Sequence, residues 1–144
     1  SGSAGEYSAT KVDSSGNPHI VYSTGSGGSL DHAWAGWDQS ASQWVWQYQI
    51  IDNNGNVGDY SDLLIGPSGN LHVSYYDENN ESLKYGSGTY DSLSNSWTWS
   101  VATVDDPQTG DSVGKYSSIS IDGSGTVFIV YYDETNGNLK ISYN

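Results

Sequence analysis

Cysteine is missing from the 144-residue sequence, so neither disulfides nor thiolate chemistry can operate. Arginine is missing as well: the four basic residues are Lys11, Lys84, Lys115 and Lys140, set against 17 acidic ones. The net charge of -13 opposes phosphate backbones and anionic lipid, so neither nucleic acid nor a membrane is an expected partner. No apolar run approaches the ~20 residues of a membrane-spanning helix. No stretch sustains an apolar period of about 3.6 residues, so no regular helix is expected. No Ser/His/Asp set stands at nucleophile-elbow spacing, and neither a Walker-type glycine loop nor a His-x-x-x-His pairing occurs. The expectation is a chain that is not an enzyme, with no cofactor and no metal.

What is present is 18 Gly, 12 Tyr and 6 Trp, with many Ser, Asn and Asp. Large rings bury much area each, and the small and polar residues suit tight turns between strands. An internal repeat then sets the architecture. Gly5-Glu6-Tyr7-Ser8 aligns with Gly58-Asp59-Tyr60-Ser61. The same offset carries Gly16 onto Gly69, His19 onto His72, Tyr22 onto Tyr75, Leu30 onto Leu83, Trp44 onto Trp97, Trp46 onto Trp99 and Asp52 onto Asp105. After a three-residue insertion within 106–113, a third copy opens at Gly114-Lys115-Tyr116-Ser117. Its Tyr131-Tyr132-Asp133 and Leu139-Lys140 match Tyr75-Tyr76-Asp77 and Leu83-Lys84. One domain, 1–144, therefore holds repeats 5–57, 58–113 and 114–144.

Each copy reads as four strands. The first is short (116–122), and the second is apolar on both sides (71–76 and 126–132), as in a strand covered on both faces. The third spans 82–86 or 138–143, and the fourth 44–51 or 97–104, with large residues alternating as on a half-covered outer strand. Four short strands every ~50 residues fit radially packed blades.

The segments 12–22 (VDSSGNPHIVY), 65–75 (IGPSGNLHVSY) and 121–131 (IDGSGTVFIVY), each preceded by Gly-x-Tyr-Ser, resemble bacterial β-propeller repeats of the broad sialidase-like or BNR-like group. The resemblance covers almost the whole chain and implies an all-β fold of about three four-stranded antiparallel blades. It implies no single function, since propellers host lectins, lyases, hydrolases and scaffolds. The sialidase Asp-box is absent, and without arginine no cluster can grip a sialic-acid carboxylate. Some polysaccharide lyases use His and Tyr from similar segments. His19 and His72 hold equivalent positions here, but the third copy has Phe128, so packing is their expected role.

The third copy ends at Asn144, after its third strand. Three blades do not close a ring, whose usual count is four to eight. The expectation is a homodimer that closes six blades with two-fold symmetry and covers apolar faces a lone chain would expose. The strand 139–143 would be an open edge. A fragment of a longer propeller is the other reading, and Ser1-Gly2-Ser3 reads as a trimmed or appended end.

The expected function is thus a non-catalytic module that self-associates. A carbohydrate-binding propeller from a secreted bacterial protein comes second, and a fragment of a polysaccharide-active enzyme third. The composition resembles that of secreted or cell-surface bacterial proteins. The candidate ligand residues for a glycan are Trp34 and Trp37, read as exposed because they leave the repeat consensus. With them stand Asp59, Tyr60, Asp77, Tyr116 and Asp133, expected on a shared rim. Against that, Tyr7, Tyr60 and Tyr116 suit a core lining. Asp77/Glu78 and Asp133/Glu134 suit turn stabilisation better than a glycosidase pair. Residues 52–56 start like a calcium loop, but the twelfth position is Leu63. Asp105, Asp106 and Asp111 offer a looser oxygen cage, and His32 stands alone.

Overall fold

The computed structural model describes residues 4–25, 27–107 and 110–144. Ser1-Gly2-Ser3, and 108–109 within the expected oxygen cage, lie outside the described residues. The described residues form eleven strands and no helix, so the all-β expectation holds. In chain order they are β1 (Glu6–Val12), β2 (Pro18–Ser23), β3 (Leu30–Asp38), β4 (Gln43–Asp52), β5 (Val57–Ile65), β6 (Leu71–Asp77), β7 (Ser82–Asp91), β8 (Ser96–Asp105), β9 (Val113–Ile121), β10 (Val127–Asp133) and β11 (Asn138–Tyr143). They make three antiparallel sheets, β1-β2-β3-β4, β5-β6-β7-β8 and β9-β10-β11, one per repeat.

Aspartates build the turns. Asp13 accepts from the backbone N–H of Ser15 and Asn17 at 2.8 Å each, and Asp122 from Ser124 and Thr126 at 2.9 Å. Asp38, Asp77, Asp91 and Asp133 hold their own turns in the same way. These are Asx-type turns, in which a short carboxylate replaces a backbone acceptor.

Two strands outrun their expected ends. β7 continues to Asp91 rather than stopping near Gly86. Gly86 and Gly88 punctuate the sequence like a turn, yet they sit mid-strand because neighbours occupy the space of a side chain. A Cβ on Gly88 would lie 2.9 Å from the Trp99 ring, and one on Gly86 3.0 Å from Val73. β4 is exposed along most of its length rather than half-covered.

The sheets stack in chain order. One apolar cluster, with Val21, Leu30, Trp34, Leu63, Val73 and Tyr75, lies between the first and second sheets. Another, with Leu83, Ile119, Val127, Ile129 and Tyr131, lies between the second and third. The Gly-x-Tyr-Ser segment is what clips one sheet to the next. Gly58 (φ +106°) and Gly114 (φ +111°) cross a leucine, Leu30 or Leu83, near the start of the preceding sheet's third strand. A Cβ on Gly114 would meet the Leu83 backbone at 2.7 Å, and one on Gly58 would meet Leu30 at 3.1 Å. Tyr7, Tyr60 and Tyr116 adopt φ of 49°, 53° and 54° where the first strand bulges. The Ser61 and Ser117 hydroxyls then donate to the carbonyls of Tyr7 and Tyr60 in the preceding sheet.

Candidate functional site

Strand register sorts each sheet into two faces, because directly opposed residues point the same way. In the second sheet, Trp97, Trp99 and Val101 point towards the first sheet, where the rings of His19 and His32 receive the indoles. His19–Trp97 centroids are 5.4 Å apart, and His32 lies 5.5 Å from both Trp97 and Trp99. The repeat counterparts of those three residues in the first sheet are Trp44, Trp46 and Tyr48. All three are exposed, as is Ile50 on the same face. At the other end, Tyr76 and Tyr85 of the second sheet point towards the third. Their counterparts Tyr132 and Ile141 are exposed, together with Tyr143. β10 is therefore covered on one face only, against the expectation from its two-sided apolar pattern. Val127, Ile129 and Tyr131 are buried, while Tyr132 on the other face is open.

A polar set crosses each internal seam, buried at the first and partly exposed at the second, and the sequence reading missed it. Asp52, at the end of β4, accepts hydrogen bonds from the Tyr75 hydroxyl (2.8 Å) and the Lys84 ammonium in the next sheet. Asp105 repeats this with Tyr131 (2.7 Å) and Lys140. Desolvation pushes the Asp52 carboxyl up, but hydrogen bonds from Lys84, the Asn54 N–H and Tyr75 outweigh it and hold the group below its usual range. The tyrosine hydroxyls shift the other way, upward, through burial and through the carboxylate they serve. Asp52 and Asp105, which looked like calcium-loop and oxygen-cage residues, are thus engaged by cations of the chain. The signal was the repeated Tyr, Leu-Lys and Asp positions, each visible separately. In the first copy the lysine position holds Asp31.

His32 is not alone. It is fully buried, and its Nε2 lies 3.1 Å from His19 Nδ1. Its ring stacks on Trp34 at 4.9 Å. His19 Nε2 is 3.7 Å from the Asp13 carboxylate. The consistent proton placement has His32 Nε2–H donating to His19 Nδ1, with the His19 Nε2–H directed at Asp13. Burial, reinforced by the adjacent His19, pushes His32 down to about 3. Burial also lowers His19, partly offset by Asp13.

The seven candidate residues do not converge. Trp34 pairs with His19 at the start of β2, whereas Asp59 pairs with Tyr76 at the end of β6, so they occupy opposite ends of the stack. Trp34 is 8% exposed, correcting its reading as a surface aromatic: the second sheet covers it. Trp37, on the other face of β3, is 48% exposed and packs edge-on against Trp44 at 5.4 Å. Asp77 and Asp133 are buried, and their carboxylates accept hydrogen bonds within their own turns. Tyr7, Tyr60 and Tyr116 do not line a core. They form a surface ladder with centroids 4.6 and 4.5 Å apart, and Tyr116 is 67% exposed. Asp59 lies beside this ladder, half-buried, its carboxyl raised by desolvation and by Glu78.

No protein-family model matches the chain, and no curated protein matches it either.

Proposed function

We propose that the chain is a non-catalytic β-propeller module of the sialidase-like repeat type that associates with a second copy of itself. In this reading each sheet is a blade, and two chains close six blades around a dyad. One observation carries it. The two bare faces are the repeat counterparts of two faces that already meet inside the chain. The Trp44/Trp46/Tyr48 face corresponds to one that the preceding sheet covers in the second copy. The Tyr132/Ile141 face corresponds to one that covers the next sheet. Stacking the third sheet of one chain on the first sheet of another repeats the internal contact, and a dyad satisfies both new seams together. These seams lack the buried ion pair, since Asp31 stands in the first sheet where the second has Lys84. Aromatic and aliphatic area carries the association instead.

Light scattering at micromolar concentration is expected to give twice the 15.5 kDa chain mass. A single-chain mass overturns the proposal. Ile141 is exposed in the separate chain, so Ile141→Glu has little effect on folding. In the ring it buries a carboxylate without a partner, at a cost of several kcal/mol, or roughly a hundredfold or more in dissociation constant. The variant is expected to run at one chain mass and to keep a cooperative melt, with a midpoint that is lower than wild type's and independent of protein concentration.

A further inference from the structure

We infer that the cleft between the first and second sheets binds a short neutral oligosaccharide. The cleft encloses about 740 Å³, within the ~300–1,000 Å³ range of small-molecule sites. It opens at the end of the stack that carries the β1–β2, β5–β6 and β7–β8 turns. Between the second and third sheets a cavity of about 60 Å³ is found instead. Asp13, Trp34 and Gln47 line the cleft, and in the second copy their places are taken by Gly66, Ser87 and Ser100.

The lining chemistry selects the ligand. No lysine reaches the cleft, and its one carboxylate, Asp13, is bound to the Ser15 and Asn17 N–H groups and the Asn17 amide. An anion finds no counter-charge there and meets the field of a chain with net charge -13. Apart from Asp13, what the cleft offers is uncharged. The Tyr90 ring remains 43% exposed and is propped against Trp97 at a centroid distance of 5.4 Å. The Tyr90 hydroxyl donates to Asn95, whose amide donates in turn to Gln47 across the seam at 3.2 Å. An open aromatic face beside a preset row of amides matches a sugar ring, which has C–H groups on its faces and hydroxyls on its edge. Trp97 lines the same wall. The cleft lies within one chain, so it does not depend on self-association.

The test is a glycan array of neutral di- to hexasaccharides, with polygalacturonate and sulfated glycans as contrasts, followed by calorimetry on the best hit. Saturable binding to a neutral oligosaccharide is expected, with a loss of about tenfold in affinity for Tyr90→Ala and no change for the distant Tyr116→Ala. Gln47→Ala, at a half-buried amide, decides the matter if Tyr90→Ala melts early. Silence across the neutral set, binding confined to acidic glycans, or binding indifferent to both cleft variants overturns the inference. Because a single chain suffices, loss of sugar binding and loss of the dimer are separate results.

Discussion

Lys84→Met is expected to lower the unfolding free energy by ~3–5 kcal/mol, read as a fall in urea midpoint at unchanged slope. The lysine and its partner Asp52 are both buried, and a second buried carboxylate, Asp77, stands 3.8 Å from the ammonium. Methionine retains an unbranched stem but removes the ammonium that lies 5.7 Å from the Tyr75 ring centroid, leaving two buried carboxylates without that cation. Domains of this size are stable by roughly 5–15 kcal/mol, so the loss is a large share of the total. Removing the Asp52 charge in the same chain relieves part of the penalty. Asp52→Asn combined with Lys84→Met should therefore be more stable than the sum of the single effects allows. At the second seam Lys140 and Asp105 are partly exposed, so Lys140→Met should cost no more than about 1 kcal/mol. A Lys84→Met chain within 1 kcal/mol of wild type would remove the buried pair from any account of how the sheets hold together.

How far the fold could be read ahead depends on which residues carried it. The repeat gave the number of sheets and four strands per full copy, because Gly-x-Tyr-Ser and the paired tyrosines recur at fixed spacing. The end of β7 could not be read, since Gly86 and Gly88 mimic a turn and only the Trp99 ring above them explains the strand. Site residues were harder to place. Trp34 and Trp37 looked alike as departures from the consensus, yet they sit on opposite faces of β3, one covered by the next sheet and one open. That distinction needs the stacking direction, which residue periodicity does not contain. His32 looked isolated for the same reason: His19 is 13 positions away in sequence and directly beside it across a strand pair. The tyrosine ladder was read as core because large rings are usually buried. A bulge with φ near 50° turns these side chains onto the surface instead.

The His19–His32 pair makes the seam between the first and second sheets sensitive to acid, and the sign follows from where the proton goes. In the unfolded chain a histidine takes up a proton near pH 6.5. In the fold His32 resists protonation down to about 3. Its Nδ1 faces no partner, so a proton placed there would be a buried donor among the rings of Trp34, Trp97 and Trp99. The unfolded state therefore binds more protons across that interval, and stability falls as pH drops from about 6.5 towards 3, by up to ~1.4 kcal/mol per pH unit from His32 alone. His19 and His72, also lowered by burial, contribute with the same sign. Carboxylates with depressed values, such as Asp13 and Asp52, lose stability only as pH falls below the ordinary carboxylate range near 4. Above about 4.5 these depressed carboxylates drop out, and the raised Asp59 carboxyl, which acts with the opposite sign, is common to both chains compared below. The second copy supplies the diagnostic replacement: at the His32 position it has Tyr85, whose hydroxyl meets His72 Nδ1 at 2.6 Å. His32→Tyr should keep a partner for His19 and remove one buried titrating group. Urea melts between about pH 6.5 and 4.5 should show its stability falling less steeply than wild type, by close to 1.4 kcal/mol per pH unit. Parallel slopes for the two chains would show that the buried ring does not set the acid response. The pair would then join two sheets without making that junction depend on protons.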